Sequence, residues 1–201
     1  MKKKQIAVLI SGTGTNLQAI IDKQNKIGCK VAVVVSNKAN AFGLERAKKA
    51  KIPAYFIDHK DIPREEHEKK IIEILKKYKI DLVVLAGYMR ILTPNFIRQY
   101  KNRIINIHPA LLPSFPGTDG YGDTFRYGCK VGGCTVHFVD EGIDTGPIIL
   151  QKANPIKETD TLETFKKRGL KIEHQAFPEA IKLFCEGRLR VEGRKVKILR
   201  G

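Results

Sequence analysis

Two polar residues, Asn106 and His108, end an apolar segment with the sequence RIINIH (103–108). Because alternate residues of a strand point to the same side, this spacing predicts that both side chains project from one face of a strand end. An asparagine amide and an imidazolium can both donate hydrogen bonds to an oxygen atom on which negative charge develops. The pair is therefore suited to acyl transfer or to addition at a carbonyl group. The spacing alone leaves open whether His108 is catalytic or structural.

The segment that follows His108, PALLPSFPG (109–117), is rich in proline. Proline fixes φ and lacks a backbone N–H, so this segment fits neither a helix interior nor a central strand. We expect a rigid loop that holds Asn106 and His108 in place. This constellation does not include a serine or cysteine nucleophile, so a substrate would have to supply the nucleophile.

Candidate carboxylates for the same site lie in a turn-rich segment, VDEGIDTGP (139–147). A carboxylate from this loop beside His108 would favour the charged imidazole and raise its pKa above the ordinary value of about 6.5. The other histidines that we considered are expected to be structural. His59 and His67 occur in a charged stretch that we expect to be exposed, and His137 occurs inside a strand pattern.

A glycine-rich segment, SGTGTN (11–16), follows the first apolar strand and precedes a helical pattern. Glycine permits a tight turn there, and the free N–H groups of a helix N-terminus suit a phosphate group. The segment is neither a dinucleotide fingerprint, which needs glycine at the position of Leu17, nor a P-loop, which needs Gly-Lys-Ser/Thr. Phosphate binding and a purely structural turn both remain open.

Strand and helix patterns alternate regularly through the first half of the chain. This alternation predicts right-handed crossovers and a mostly parallel sheet. We therefore predict a single-domain α/β protein over residues 1–201, with a twisted, Rossmann-like sheet and helices on both faces. The helix TPNFIRQY (93–100) should begin at an N-cap, Thr93, with Pro94 at its first position.

The second half predicts a different arrangement. Two longer segments, 130–142 and 146–156, fit antiparallel or edge strands. A long helical pattern spans residues 159–187, with Thr159 or Asp160 as the expected N-cap and Pro178 expected to kink or divide it. A hairpin around Glu192-Gly193 is expected near the C-terminus.

The composition describes an ordinary soluble protein with a large positive charge. The 201 residues are 42% hydrophobic, and 37 Lys+Arg against 21 Asp+Glu give a formal net charge of +16. This charge permits nucleic acid, an acidic membrane surface or a small polyanion as partner. The lysines alternate with glutamates along the predicted helices, which also fits the solvated surface of a heat-adapted protein. We find no nucleic-acid-binding motif.

Apolar runs and cysteines restrict the remaining classes. The N-terminal run IAVLI (6–10) is too short for a signal peptide, and no run is long enough to span a membrane, so we expect a cytoplasmic protein. The four cysteines show no C-x-x-C pair, so neither a disulfide framework nor a metal site is expected.

Several segments in order resemble the glycinamide ribonucleotide formyltransferases, enzymes of purine biosynthesis that use 10-formyltetrahydrofolate. The resemblance rests on ISGTGTNLQAI, SNKANAFGLERA, VVLAGYMRIL, NIHPALLPSFPG, DEGIDTGPII and EHQAFPEAI, and it extends over residues 5–190. It implies a formyltransferase fold and transfer of a formyl group to the amine of phosphoribosylglycinamide. The folate would be a cosubstrate, and no metal would be needed.

The resemblance also implies roles for individual residues. Those matching the family's catalytic residues are Asn106, His108 and Asp144. Those expected to bind phosphoribosylglycinamide are Gly14, Thr15, Asn16, Leu17 and Glu173. Those expected to contact the folate are Arg64, Met89, Arg90, Ile91, Leu92, Asn106, Asp140, Glu141, Gly142, Ile143 and Asp144.

The implied mechanism is direct attack of the substrate amine on the formyl carbonyl, without a covalent enzyme intermediate. Asn106 and protonated His108 would stabilise the oxyanion, while Asp144 would keep His108 protonated and assist proton transfer. One departure concerns the loop TDGYGDTFRYG (118–128), where some family members carry histidines. Roles assigned to those histidines are not transferred to Asp119 or Tyr121.

Three alternatives remain. A methionyl-tRNA formyltransferase would explain the charge, but that family normally adds an RNA-binding domain for which no residues remain here. A formyltetrahydrofolate hydrolase is expected to carry an extra N-terminal domain. A non-catalytic nucleic-acid-binding protein would bind with steep salt dependence and would not need His108. We expect small-molecule partners only, no nucleic acid or membrane, and a monomer or homodimer.

Overall fold

The computed structural model describes residues 3–200, which form an α/β fold around a nine-stranded sheet. The described helices are α1 (Thr15–Lys23), α2 (Phe42–Lys49), α3 (Arg64–Lys77), α4 (Pro94–Gln99), α5 (Gly120–Arg126) and α6 (Leu162–Cys185). The strands are β1 (Lys4–Ile10), β2 (Cys29–Ser36), β3 (Ala54–Phe56), β4 (Leu82–Leu85), β5 (Ile104–His108), β6 (Val131–Phe138), β7 (Ile148–Pro155), β8 (Leu189–Glu192) and β9 (Lys195–Ile198).

The strand order across the sheet is β3-β2-β1-β4-β5-β6-β7-β9-β8. The first five strands pair in parallel, whereas β6 is antiparallel to both β5 and β7. The predicted fold class, with a parallel half and antiparallel strands toward the C-terminus, is confirmed. The predicted hairpin is also present as β8 and β9, and β9 pairs with β7.

The central strand β1 shows why its sequence is continuously apolar. Ile6, Val8 and Ile10 face a core packed by α1, α2 and α6, while Ala7 and Leu9 face a second core packed by α3 and α4. Because successive side chains of a strand alternate between faces, a strand covered on both sides needs apolar residues at every position. The two helical layers leave the carboxyl ends of the parallel strands accessible. None of the helices within residues 3–200 is long and apolar enough to span a membrane.

The long helix α6 begins later than predicted, because its N-cap lies two residues after Thr159 and one residue after Asp160. Its N-cap is Thr161, whose hydroxyl accepts from the Thr164 N–H, while the Thr164 hydroxyl accepts from the Thr161 N–H. The predicted caps Thr159 and Asp160 are therefore wrong. Asp160 instead binds the Arg168 guanidinium and accepts from the backbone N–H of Lys157. Arg168 therefore holds the Asp160 carboxylate away from the N-terminal N–H groups of α6.

Pro178 lies inside α6, yet the helix continues through it and is not divided. Proline lacks the N–H that would bond the carbonyl four residues earlier, which is that of His174. The ammonium group of Lys23 on α1 donates a hydrogen bond of 2.8 Å to this carbonyl oxygen. A side chain from the neighbouring helix thus replaces the missing backbone bond.

Two local features differ from the sequence-based expectation. Residues 120–126 form the short helix α5, although two glycines in GYGDTFR suggest a loop. His67 and Glu68 on α3 are buried, at 1% and 3% exposure, although their sequence neighbours are charged. They lie four residues before Ile71 and Ile72, so they belong to the same buried stripe of the helix.

We expect Lys23→Met to lower the free energy of unfolding by about 1 kcal/mol, because the His174 carbonyl then loses its donor. In a Pro178→Ala background the alanine N–H can bond that carbonyl, so the same substitution should cost less. Urea unfolding of the two single variants and the double variant measures this difference. Lys26→Met, an exposed residue just after α1, is the matched control. Equal costs of Lys23→Met in both backgrounds would contradict this explanation.

Candidate active site

A cavity of about 500 Å³ opens at the carboxyl ends of β4 and β5. Ligand sites of open α/β sheets lie at this edge, because the loops that follow parallel strands meet there. Its wall includes the end of β5, His137 of β6, the loop after β4, and residues 139–144 except Glu141. Asn16 of α1 and Glu173 of α6 close another side.

Most of the predicted site residues line this cavity. They are Asn16, Met89, Arg90, Ile91, Leu92, Asn106, His108, Asp140, Gly142, Ile143, Asp144 and Glu173. The predicted residues outside its lining are Gly14, Thr15, Leu17, Arg64 and Glu141. Leu17 is fully buried in the core, Arg64 begins α3 at the surface, and exposed Glu141 pairs with Arg98 at 3.4 Å. Their assigned roles remain predictions.

The Asn106 amide contacts two other groups of the site. Its Nδ2 atom lies 3.2 Å from Nε2 of His137 and 3.4 Å from Oδ1 of Asp144. The Nδ1 atom of His137 lies 2.8 Å from the carbonyl oxygen of Phe138, so Nδ1 must carry a hydrogen. Nε2 is therefore the ring nitrogen that faces both Asn106 and Asp144. His137 thus orients the amide.

His108 is oriented from both sides of its ring. Its Nε2 atom lies 2.7 Å from the carbonyl oxygen of Phe115, and its Nδ1 atom lies 3.4 Å from Oδ2 of Asp144. Phe115 belongs to the proline-rich loop after β5, which confirms that this loop holds His108 in position. The hydrogen on Nε2 is donated to Phe115, which leaves Nδ1 as the nitrogen beside Asp144.

Burial lowers the pKa of the His108 imidazole, and the Asp144 carboxylate and the Phe115 carbonyl oppose this without outweighing it. The pKa of His108 therefore lies below its ordinary value: the Asp144 carboxylate raises it, as expected, but burial outweighs that effect. The His108 ring is only 3% exposed, so desolvation of the imidazolium is the dominant effect. At neutral pH the ring is mostly uncharged.

Asp144 is the residue on which these groups converge. Its carboxylate accepts from the Gly117 N–H at 2.9 Å and lies 3.6 Å from Nε2 of His137. Burial by itself would raise its pKa, but His137, the Gly117 N–H and His108 together lower the pKa below its ordinary value. The carboxyl is therefore ionised at neutral pH. Its backbone has φ 54°, in the left-handed region that non-glycine residues seldom adopt.

A second polar pair, Asn16 and Glu173, lies across the cavity. Nδ2 of Asn16 donates to Glu173 at 2.7 Å, and Glu173 is only 5% exposed. Burial raises the pKa of Glu173, against the opposing effects of Asn16 and Tyr121. The Oδ1 atom of Asn16 is buried without a hydrogen-bond partner among the described residues. This side of the cavity therefore offers an unused acceptor.

Exposed apolar side chains mark the opposite side of the cavity. Met89, Ile91 and Ile143 line it and are 59%, 50% and 54% exposed. Large apolar side chains that project around a cavity favour a ligand with apolar surface. Arg90 lies between Met89 and Ile91 and adds a positive charge.

His137, which we expected to be structural, also lines the cavity and lies beside Asn106 and Asp144. It lies on β6 directly opposite Asn106 of β5 in the antiparallel register. Knowledge that β5 pairs with β6 in this register would have placed His137 beside Asn106, because opposite residues of antiparallel strands share a face.

We expect Asp144→Asn to lower the pKa of His108 further, because the carboxylate that favours the imidazolium is lost while burial is kept. An NMR titration of the His108 ring measures this. Asp140→Asn is the matched control, since Asp140 also lines the cavity but binds Thr145 and the Gly142 N–H. An unchanged or raised pKa in Asp144→Asn would show that Asp144 does not govern this ring.

Comparison with known proteins shows the family of this chain. The formyl transferase family matches residues 4–181. The chain is 47% identical over 192 residues to the phosphoribosylglycinamide formyltransferase of Haemophilus influenzae, an alignment that covers 94% of this chain and 91% of that protein. The crystal structure of glycinamide ribonucleotide transformylase 1 from Symbiobacterium toebii has a TM-score of 0.96 at 50% identity, covering 99% of this chain and 95% of that one.

A longer relative contains a matching segment. The chain is 47% identical over 193 residues to the trifunctional purine biosynthetic protein adenosine-3 of Drosophila pseudoobscura pseudoobscura, and this match covers 94% of the chain but only 14% of that protein. The matches to enzymes disfavour the non-catalytic alternative. The chain belongs to the formyl transferase family and, within it, to the phosphoribosylglycinamide formyltransferases.

Proposed function

We propose that this protein transfers the formyl group of 10-formyltetrahydrofolate to the amine of phosphoribosylglycinamide, in purine biosynthesis. The observation that carries this proposal is the convergence of Asn106, His108 and His137 on the ionised Asp144 carboxylate. These groups can polarise a carbonyl and move protons, but they include no serine or cysteine to attack it. The attacking amine therefore comes from the substrate.

The folate is expected on the side of the cavity with exposed apolar residues. Met89, Ile91 and Ile143 provide contacts for an aromatic ring system, and Asp140 and backbone groups of residues 139–144 provide polar contacts. Arg90 at the cavity, and Arg64 at the start of α3, are cations available to the carboxylates of the folate. When bound, this cosubstrate supplies the formyl group.

Phosphoribosylglycinamide is expected between the glycine loop and α6. Gly14 has φ 70° and precedes α1, whose N-terminal N–H groups face the loop and suit a phosphate. A Cβ at Gly14 would lie 2.7 Å from Cα of Gly43, so a side chain would displace this loop. Glu173 and the unpaired Oδ1 of Asn16 are acceptors for ribose hydroxyl groups.

The chemical step assigns a role to each polar group. As the amine nitrogen bonds to the formyl carbon, negative charge moves to the formyl oxygen, and Asn106 Nδ2 donates to that oxygen the hydrogen that otherwise points to Asp144. Nδ1 of the neutral His108 takes up the proton that the amine loses and then donates to the same oxygen. The Asp144 carboxylate, 3.4 Å from Nδ1, stabilises the imidazolium formed. The proton finally passes to the departing folate nitrogen.

We further infer that the enzyme works in the cytoplasm, on small-molecule substrates, as a monomer or homodimer. The lysines that give the chain its charge alternate with glutamates along exposed helix surfaces such as that of α3. That distribution supports a solvated surface rather than a nucleic-acid-binding stripe.

The reaction is tested by following the folate absorbance with both substrates and with each one alone. We expect turnover by wild type only when both are present, and a loss of about 10²–10⁴-fold in kcat/KM for His108→Ala. Asp22→Asn, on the exposed side of α1, is the control and should retain activity. Folate turnover without phosphoribosylglycinamide would instead indicate a hydrolase, and full activity of His108→Ala would refute the mechanism.

The substrate placement is tested by Glu173→Gln. The substitution should raise KM for phosphoribosylglycinamide about tenfold, because an amide NH2 replaces one of the two oxygens that can accept from the ribose hydroxyls, and should leave KM for the folate unchanged. Glu179→Gln on the same helix is the matched control, since Glu179 is exposed and pairs with Lys152. A rise confined to the folate KM would place the two substrates the other way round.

A further inference from the structure

The segment between β4 and α4 includes residues 89–92, here called the strap, which form neither helix nor strand. Its side chains Met89 and Ile91 are exposed at the cavity, whereas Leu92 is buried beneath it. Apolar side chains exposed at a cavity tend to collapse into it, which would remove the space for a ligand. The strap therefore needs something to hold it open.

The first end of the strap is held by Ser11. The Met89 N–H donates a hydrogen bond of 2.8 Å to Oγ of Ser11, and this hydroxyl donates to Oδ1 of Asn37 at 2.6 Å. Ser11 and Asn37 are 6% and 3% exposed. The Ser11 N–H also donates to the Gly87 carbonyl, just before the strap. Ser11 therefore binds the segment between β4 and α4 through both its backbone N–H and its hydroxyl group.

The second end of the strap is held by Glu68 of α3. One carboxylate oxygen accepts from the Thr93 N–H at 2.8 Å, and the other accepts from the Thr93 hydroxyl. Both residues are buried. The Thr93 hydroxyl additionally accepts from the Phe96 N–H as the N-cap of α4. The two carboxylate oxygens of Glu68 therefore fix both the backbone and the side chain of Thr93.

A purely structural role does not explain the choice of residue at position 68. The position belongs to the buried stripe of α3 and could hold an apolar side chain without the cost of burying a carboxylate. A buried carboxyl group that is hydrogen-bonded on both oxygens gives a defined geometry that apolar packing does not. The defined geometry here is the position of the strap end.

We propose that Ser11 and Glu68 are positioning residues that clamp the two ends of the strap, so that residues 89–92 keep their shape before the folate binds. This inference rests on the proposed folate role of the strap. Preorganisation of a binding segment improves affinity because less order is lost on binding. Ser11 directly precedes Gly12 of the glycine loop, so it links both substrate sites, whereas Glu68 serves only the folate site.

The two positions therefore predict different kinetic effects. We expect Glu68→Gln and Thr93→Val to raise KM for the folate about tenfold, with kcat and KM for phosphoribosylglycinamide within about twofold of wild type. Thr93→Ser, which keeps the hydroxyl, should restore the wild-type value. Ser11→Ala should raise both KM values. Glu66→Gln, exposed on the same helix, is the matched control.

Amide hydrogen exchange of residues 86–93 in the substrate-free protein provides a readout independent of activity. We expect exchange about tenfold faster in Glu68→Gln than in Glu66→Gln. Unchanged exchange would overturn the clamp, while the proposed reaction would stand. Faster exchange with an unchanged folate KM would overturn the assignment of the strap to the folate under the proposed function. Faster exchange throughout the protein, with both KM values raised, would show general destabilisation and would also overturn the clamp.

Discussion

The site depends on one buried carboxylate, that of Asp144. A desolvated negative charge is unfavourable unless hydrogen bonds and opposite partial charges surround it. Here the Gly117 N–H and the Asn106 amide donate to it, and the rings of His108 and His137 lie 3.4 and 3.6 Å from its two oxygens. These groups come from three segments of the chain, β5, the proline-rich loop after it and β6, so the carboxylate is stabilised only when the segments meet. The same carboxylate then makes protonation of His108 possible during the reaction.

The change of direction within the sheet brings those segments together. Through β5 the strands are parallel, and β6 then runs antiparallel beside it, with His137 opposite Asn106. A slip of one residue in this register would turn His137 to the other face of the sheet. The loop after β6 returns Asp144 to the end of β5, and the proline-rich loop places the Phe115 carbonyl and the Gly117 N–H around His108 and Asp144. Rigid loops suit this role, because donors and acceptors must be in place before charge develops.

Local sequence patterns were sufficient for much of the fold. Continuous apolar runs predicted the buried strands, and Thr93 with Pro94 predicted the start of α4 correctly. The 3.6-residue period would also have placed His67 and Glu68 on the buried stripe of α3, although their charged neighbours suggested exposure. The N-cap of α6 could not be identified from sequence, because Asp160 is bound by the Arg168 guanidinium and the Lys157 N–H instead of capping the helix. These contacts depend on the folded arrangement of residues 157–168. The two glycines of α5 suggested a loop, whereas tertiary packing of Tyr121 against Phe165 of α6 accompanies a helix there.

The site shows a similar division. The i, i+2 spacing predicted that Asn106 and His108 would share the cavity, and the structure places both there. The role of His137 depends on strand register, and the pKa of His108 depends on how completely the ring is buried. Neither the strand register nor the burial of the His108 ring follows from residue types or spacing. The clamp of the strap by Ser11 and Glu68 likewise joins residues 78 and 25 positions apart.

In this site Asp144 acts through His108 rather than independently of it. A double-mutant cycle on kcat/KM with His108→Ala, Asp144→Ala and the double variant tests this most directly. If the two side chains act as one unit, the double variant should lose about as much activity as the more damaging single variant. Losses that multiply in the double variant would show that the two residues contribute independently, and would contradict this account of the site.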